Sequence, residues 1–186
     1  MKILLDQDQI LCKWTERLLE WYNKDYGTKL TIADIKGWNI SEYLGPQGRD
    51  FMRSCMRWPE FYTRLEPVEG AIEGVKQLLD WGHEVRIVTA VPSSAGISYH
   101  GKQQWVRDHL PFFDLENFFA LKKKNEVKGD LLFDDGGHNI DAAMKEGDRK
   151  VVVMDYAWNQ GVAAHRRVKN WEEFLSYVSY LDYAKR

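Results

Sequence analysis

Groups that can do chemistry stand where short apolar runs of this sequence stop. Lys2-Ile3-Leu4-Leu5 ends on Asp6-Gln7-Asp8, Val85-Arg86-Ile87-Val88 ends on Thr89 and Ala90, and Leu131-Leu132-Phe133 ends on Asp134-Asp135. Lys122-Lys123-Lys124 lies shortly before the last of these runs. Asp6 and Asp8 are two residues apart, which points both carboxylates to one side of an extended chain. There they repel unless a cation joins them or one holds a proton. Taken singly, each feature has a plainer use: the acids in a turn or helix cap, Thr89 as a β-branched strand residue, the lysines as a solvated face. Taken together, four carboxylates at one sheet edge make a site for a hard, oxygen-loving cation, for which Mg2+ is the common choice. A hydroxyl, free backbone N–H groups and an ammonium then offer partners to a phosphate bound beside it. No His or Cys has zinc-ligand spacing, and His138, close behind the second acidic pair, reads as a loop residue.

These groups meet only if the runs are neighbouring strands, and the intervening sequence supports that. Thr15 is placed to cap a helix with apolar positions Leu18, Leu19, Tyr22 and Tyr26, closed by Gly27. From there to about Leu65 the reading is irregular and helical, with a break at Gly45, Pro46 and Gly48. After Pro67 the pattern becomes regular. Ala71, Ile72, Val75, Leu78 and Leu79 form one helical face before Gly82, followed by a strand over 85–89 and a helix from Gln103 to Leu110. Short strands at 118–120, 130–133 and 150–154 alternate with helices at 139–146 and 171–180. Alternation of this kind predicts an α/β fold, a doubly wound parallel sheet with helices on both faces. A catalytic core of 1–14 and 66–186 is interrupted after its first strand by a small helical cap, 15–65. In such sheets ligands bind at the carboxyl ends of the strands, where the acids stand.

Composition narrows the functions open to the chain. With 186 residues it is one domain carrying a modest insertion. Its 26 basic and 28 acidic residues leave a net charge of −2 without a long run of either sign, which argues against a nucleic-acid polymer or an anionic membrane as partner. Aromatics reach 13%, with eight Trp, enough for core packing and for a flat ligand to stack on. Cys12 and Cys55 are too few for a disulfide framework, and no apolar stretch approaches the roughly 20 residues that span a bilayer. The acids in MKILLDQDQ interrupt what a signal peptide would continue, so the expected location is cytoplasmic.

The order acid-x-acid, Thr, Lys, acid-acid, in the strings LLDQDQIL, IVTA, LKKKNEVKGD and LLFDD, resembles the haloacid dehalogenase (HAD) superfamily of phosphohydrolases. More narrowly, RLEPVEGAIEGVKQLL, the stretch Lys102-Gln103-Gln104-Trp105-Val106 and KGDLLFDD are similar to the 5′(3′)-deoxyribonucleotidase family. The resemblance runs through nearly the whole chain and is thinnest in the insertion and the last thirty or so residues. It implies a Mg2+-dependent phosphomonoesterase acting on deoxyribonucleoside 5′(3′)-monophosphates through an aspartyl-phosphate. By it, Asp6 is the nucleophile and Asp8 the acid and base. Thr89, Ala90 and Lys124 hold the phosphoryl oxygens. Asp6, the Asp8 carbonyl and Asp135 hold the metal, with Asp134 beside them or on a metal-bound water. Trp14 and Trp38, the latter in KGWNISEYLG, face the nucleotide, with Trp58 a third aromatic of poorer match. Lys102 sits near phosphate or sugar. The resemblance leaves room for a homodimer.

One residue departs from the family pattern: Gln9 stands where Gly is usual. Gly there permits a backbone turn that a side chain with a Cβ adopts at some cost. Gln9 is thus the reason to weigh an inactive nucleotide-binding relative as an alternative. A HAD phosphatase for another small phosphomonoester is the other alternative, because the cap sets specificity. A signalling receiver domain uses similar groups, but its phosphorylated Asp ends a central strand, and the candidate Asp50 in QGRDFM follows no apolar run.

Overall fold

The computed structural model describes residues 1–91, 96–121 and 123–184; Lys122 of the lysine run lies outside them. Six strands, β1 (Lys2–Leu5), β2 (Glu84–Thr89), β3 (Phe118–Ala120), β4 (Leu131–Asp134), β5 (Lys150–Met154) and β6 (Arg166–Val168), form one sheet in the order β3-β2-β1-β4-β5-β6. Every pair in it is parallel. Leu5 is level with Ile87 on one side and Phe133 on the other, so β1 sits between β2 and β4 with their carboxyl ends side by side. The chain winds one way from β1 through β2 to β3, then the other way through β4 to β6. That reversal opens a crevice at the β1 end, where α/β sheets bind ligands.

The strands are apolar on both faces because both are covered. Ile3, Leu5, Ile87 and Phe133 face one buried cluster, and Leu4, Val88, Leu132 and Val153 the other. In chain order the helices are α1 (Trp14–Tyr26), α2 (Gly48–Cys55), α3 (Pro59–Thr63), α4 (Ala71–Asp80), α5 (Gly96–His109), α6 (Gly137–Glu146) and α7 (Trp171–Tyr183). On the first face α7 stacks Phe174 on Phe133 at 4.0 Å, and Trp171 donates its indole N–H to Ile10 O at 2.9 Å.

Between β1 and α4 the described elements are all helical: α1, α2, α3 and two single 3-10 turns. This stretch is docked firmly on α5. Tyr62 donates to Ser98 Oγ at 3.0 Å, and Trp105 Nε1 to Leu65 O at 2.7 Å. A Cβ on Gly101 would come within 2.7 Å of the Tyr62 side chain. Gly101 is therefore there for close approach and does not break the helix, which is why α5 starts at Gly96 and not at Gln103 as its sequence predicts.

Other boundaries also differ from expectation. Lys13, not Thr15, stands at the N-cap of α1, and Thr15 lies inside the helix. α6 begins at Gly137, so His138 belongs to its first turn and not to a loop. β6 is a three-residue edge strand starting on two arginines, too short and too charged to show a strand pattern. α7 runs on to Tyr183, with its N-terminus capped by Asn170 Oδ1, which accepts the Glu173 N–H at 2.9 Å. Gly27 closes α1 as expected, at φ +64°. Asp50, the receiver-domain candidate, lies on α2 with its side chain exposed and so ends no strand. No helix among the described residues is long and apolar enough to cross a membrane.

Candidate active site

The carboxyl ends of β1, β2 and β4 bring the acids, hydroxyl and ammonium together. Asp6 follows β1, and its N–H donates to Phe133 O of β4 at 3.0 Å, continuing the ladder by one residue. Its Oδ1 accepts the Gln7 N–H at 2.7 Å, and its Oδ2 meets Lys124 Nζ at 2.6 Å. Asp134, the last residue of β4, is fully buried. Its Oδ2 accepts from Lys124 at 3.1 Å and its Oδ1 from the Gly136 N–H at 2.8 Å, with Asn139 Nδ2 3.2 Å from both oxygens. Asp135 Oδ2 accepts the indole N–H of Trp158 at 3.0 Å. Lys124 is buried while its neighbour Lys123 is exposed, so the lysine run is not simply a solvated face.

Asp8 departs from the expectation that four carboxylates converge. The rule for residues two apart holds only along an extended strand, and β1 ends at Leu5. Beyond it the chain turns, with the Leu11 and Cys12 N–H groups folding back onto Gln7 O. The Asp8 carboxyl is instead 2.6 Å from Lys102 Nζ, which also donates to Thr89 Oγ1 at 2.7 Å. Lys102, buried on α5, thus ties the second acid to the end of β2.

Three buried carboxylates, Asp6, Asp134 and Asp135, each offer an oxygen, and these atoms lie within 4.8 Å of one another. Burial lifts the Asp6 carboxyl from 3.8 to about 7, against the pull of Lys124 and with the push of Asp134 and Asp8. Burial likewise raises Asp135 well above its ordinary range, with Asp134 and Asp6 adding to it. Burial works against the charge of Lys124, but Asp134 and Asp6 outweigh it and raise its pKa. One ammonium among three acids leaves two negative charges uncompensated when all are ionised. A divalent cation closes that deficit, and the all-oxygen donor set fits a hard one.

The acids open onto a cavity of about 360 Å³. Asp6, Asp8, Lys124 and Asp135 line it at the sheet, with Ala90 at the end of β2. Trp14, Trp38, Ile40, Met52 and Met56 line it from the helical stretch, and His138 and Trp158 from the core. Both expected aromatics are here: Trp14 packs edge-on against Phe61 at 5.5 Å, and Trp38 lies 4.9 Å from the His138 ring. Trp58 is not a lining residue and packs on Trp21 at 6.4 Å. The sequence reading missed Trp158 and the aliphatic wall. Met52 and Met56, four apart on one helical face, carried a readable signal. Trp158 sits in a short turn after β5 with no periodicity to mark it.

Gln9 adopts φ +59°, the one left-handed non-glycine among the described residues, as the family's usual Gly at this position predicts. Its side chain has found a use. Gln9 Oε1 accepts the Thr15 N–H at 2.8 Å, capping α1 in place of the residue at its N-cap, while its carbonyl accepts the Tyr156 hydroxyl at 2.9 Å. Gln9→Ala keeps the left-handed backbone and loses the cap, so it is expected to cost about 1 kcal/mol of stability. Gln9→Gly loses the same cap but sheds a left-handed penalty of about 1 kcal/mol, and should lie closer to the wild type. Urea unfolding of both checks this; a Gln9→Gly protein less stable than Gln9→Ala would contradict it.

The chain is similar to known proteins along nearly its whole length. The family model for "5′ nucleotidase, deoxy (Pyrimidine), cytosolic type C protein" matches residues 1–181. The 5′(3′)-deoxyribonucleotidase of Bacillus subtilis (strain 168) is 27% identical over 171 residues, covering 92% of this chain and 94% of that protein. The 5′(3′)-deoxyribonucleotidase of Clostridium acetobutylicum is 26% identical, covering 91% and 89%. Among solved structures, a HAD family hydrolase of Deinococcus radiodurans with bound phosphate and sodium superposes with a TM-score of 0.67 at 14% identity, covering 96% of this chain and 95% of that one. A HAD hydrolase of Bacillus subtilis bound to magnesium superposes at 0.61 and 13% identity, covering 95% and 97%, so the fold is shared with that superfamily. The chain belongs to the family of deoxy (pyrimidine) 5′ nucleotidases of cytosolic type C, and so to the phosphoric monoester hydrolases.

Proposed function

We propose that this enzyme removes phosphate from deoxyribonucleoside 5′(3′)-monophosphates, with Mg2+, through an aspartyl-phosphate on Asp6. The observation that carries the reading is the buried cluster of Asp6, Asp134, Asp135 and Lys124 opening onto a cavity walled by Trp14, Trp38 and two methionines. A phosphoryl group fits the charged end, and a flat base fits the apolar one. In this reading residues 1–14 and 66–186 are the catalytic core and 15–65 the cap over the base, and the enzyme works in the cytoplasm.

A phosphate monoester resists attack because its anionic oxygens repel a nucleophile and an alkoxide leaves poorly. An Asp6 carboxylate oxygen attacks phosphorus while the bond to the ribose oxygen breaks. Asp8 donates the proton that the ribose oxygen needs, then takes one from the water that splits the acyl phosphate, which returns Asp6 and frees inorganic phosphate. Lys102, 2.6 Å from Asp8 Oδ2, holds that carboxyl in place. Lys124 and the Thr89–Ala90 backbone hold the phosphoryl oxygens. Asp6, Asp135 and the Asp8 carbonyl would hold Mg2+ with Asp134 beside them; when bound, it supplies positive charge that offsets repulsion between nucleophile and phosphate.

Trp14 separates a nucleotidase from a phosphatase for some other small ester. Stacking on an aromatic ring is worth about 1–3 kcal/mol per base. Trp14→Ala is therefore expected to raise KM for a deoxynucleotide about tenfold and to change KM for a small aryl phosphate far less. Steady-state kinetics with both substrates tests it; equal effects would make Trp14 a packing residue only.

A further inference from the structure

The three clustered acids are not held equally. Both oxygens of Asp134 and both of Asp6 have protein partners, from Gly136, Asn139 and Lys124 in one case and Gln7 and Lys124 in the other. Among the described residues the Asp135 carboxylate has one hydrogen bond, from Trp158 Nε1 to Oδ2 at 3.0 Å. Its backbone is pinned separately, since Asn159 Nδ2 donates to Asp135 O at 3.0 Å and to Met154 O at 2.8 Å. The rotation of the carboxylate therefore depends on the indole.

The indole is itself fixed. It stacks on Tyr156 with centroids 4.4 Å apart and planes 7° from parallel. Arg167 braces the turn by donating to Asn159 Oδ1 at 2.8 Å and to Asn159 O at 2.9 Å. An indole N–H only donates, so it can orient a carboxylate without competing for a cation. Occupying Oδ2 leaves Oδ1 free.

We infer that Trp158 is a positioning residue for the metal: its N–H holds Asp135 with one oxygen turned to the cation, while its ring forms part of the substrate cavity. This rests on the proposal that Asp6, Asp135 and the Asp8 carbonyl hold a divalent ion with Asp134 beside them. Loss of a group that orients a metal ligand typically costs about 10–100-fold in metal affinity.

The test is Mn2+ binding to metal-free protein, followed by electron paramagnetic resonance, in wild type, Trp158→Phe and Tyr156→Phe. Trp158→Phe keeps an aromatic ring against Tyr156 and removes the donor; Tyr156→Phe keeps the stack and removes only the hydroxyl bonded to Gln9. The Kd for Mn2+ is expected to rise about tenfold or more in Trp158→Phe and to stay at the wild-type value in Tyr156→Phe. Activity of Trp158→Phe should recover as Mg2+ is raised, with KM for the nucleotide at saturating Mg2+ changed less than the Mg2+ requirement. An unchanged Kd in Trp158→Phe would overturn the inference. An equal rise in both variants would also overturn it, because the cause would be a loosened turn. A wild-type chain that binds no Mn2+ would overturn the metal reading first, a result distinct from either.

Discussion

Asp6→Asn protein is expected to bind nucleotide and release no measurable phosphate. The amide is nearly isosteric, so the fold should survive, but a neutral carboxamide is a poor nucleophile and cannot form the acyl phosphate. Deleting a covalent nucleophile elsewhere costs on the order of 10⁶-fold, and a loss of about 10⁵-fold or more is expected here. Stability should not fall with it. Asp6 is buried among Asp134, Asp135 and Lys124, and burial holds its carboxyl at about 7, so the charged form is disfavoured in the metal-free chain. Replacing it removes an acid that folding has to desolvate. Phosphate release and thermal unfolding, measured together, separate the two effects; an active Asp6→Asn enzyme would remove Asp6 as nucleophile.

Chelation is expected to be nearly as severe. EDTA should silence the enzyme and Mg2+ restore it, since no side chain other than Lys124 reaches the Asp6–Asp134 oxygens with positive charge among the described residues. The dependence should also vary with pH in one direction. Folding raises the Asp6 pKa from 3.8 to about 7, so below that pH the folded, metal-free site carries a proton that the cation must displace. Apparent Mg2+ affinity should therefore drop as pH falls below about 7, up to roughly tenfold per unit for each proton displaced. Titrations of activity against Mg2+ at pH 6 and pH 8 read this directly. Insensitivity to EDTA, or tighter binding at the lower pH, would defeat the metal assignment.

The residues that could be read from the sequence are those fixed by topology. Asp6, Thr89 and Asp134-Asp135 each end an apolar run, and a doubly wound sheet puts the ends of β1, β2 and β4 together whatever lies between. The left-handed turn at Gln9 could be read only through the resemblance, because the family's usual Gly signals positive φ and Gln itself does not. What sequence did not disclose depends on rotamers and on the path of single turns. The Asp8 carboxyl turns to Lys102 because the strand stops one residue before Asp6. His138 moved from a loop to the cavity wall because α6 starts at Gly137. The tryptophans divide in a way no composition reveals. Trp105 and Trp171 are core, each with its N–H on a backbone carbonyl, whereas Trp14, Trp38 and Trp158 line the cavity.

Phosphate release with Mg2+ from a panel of deoxy- and ribonucleoside 5′- and 3′-monophosphates, beside glycerol phosphate and phosphoserine, is the most direct test, with Asp6→Asn protein as the blank. Turnover of the deoxynucleotides, well above that of the two non-nucleotides, is the expected result. Release from the non-nucleotides alone, or from none of the panel, would contradict a deoxyribonucleotidase built on Asp6 and the Trp14–Trp38 cavity.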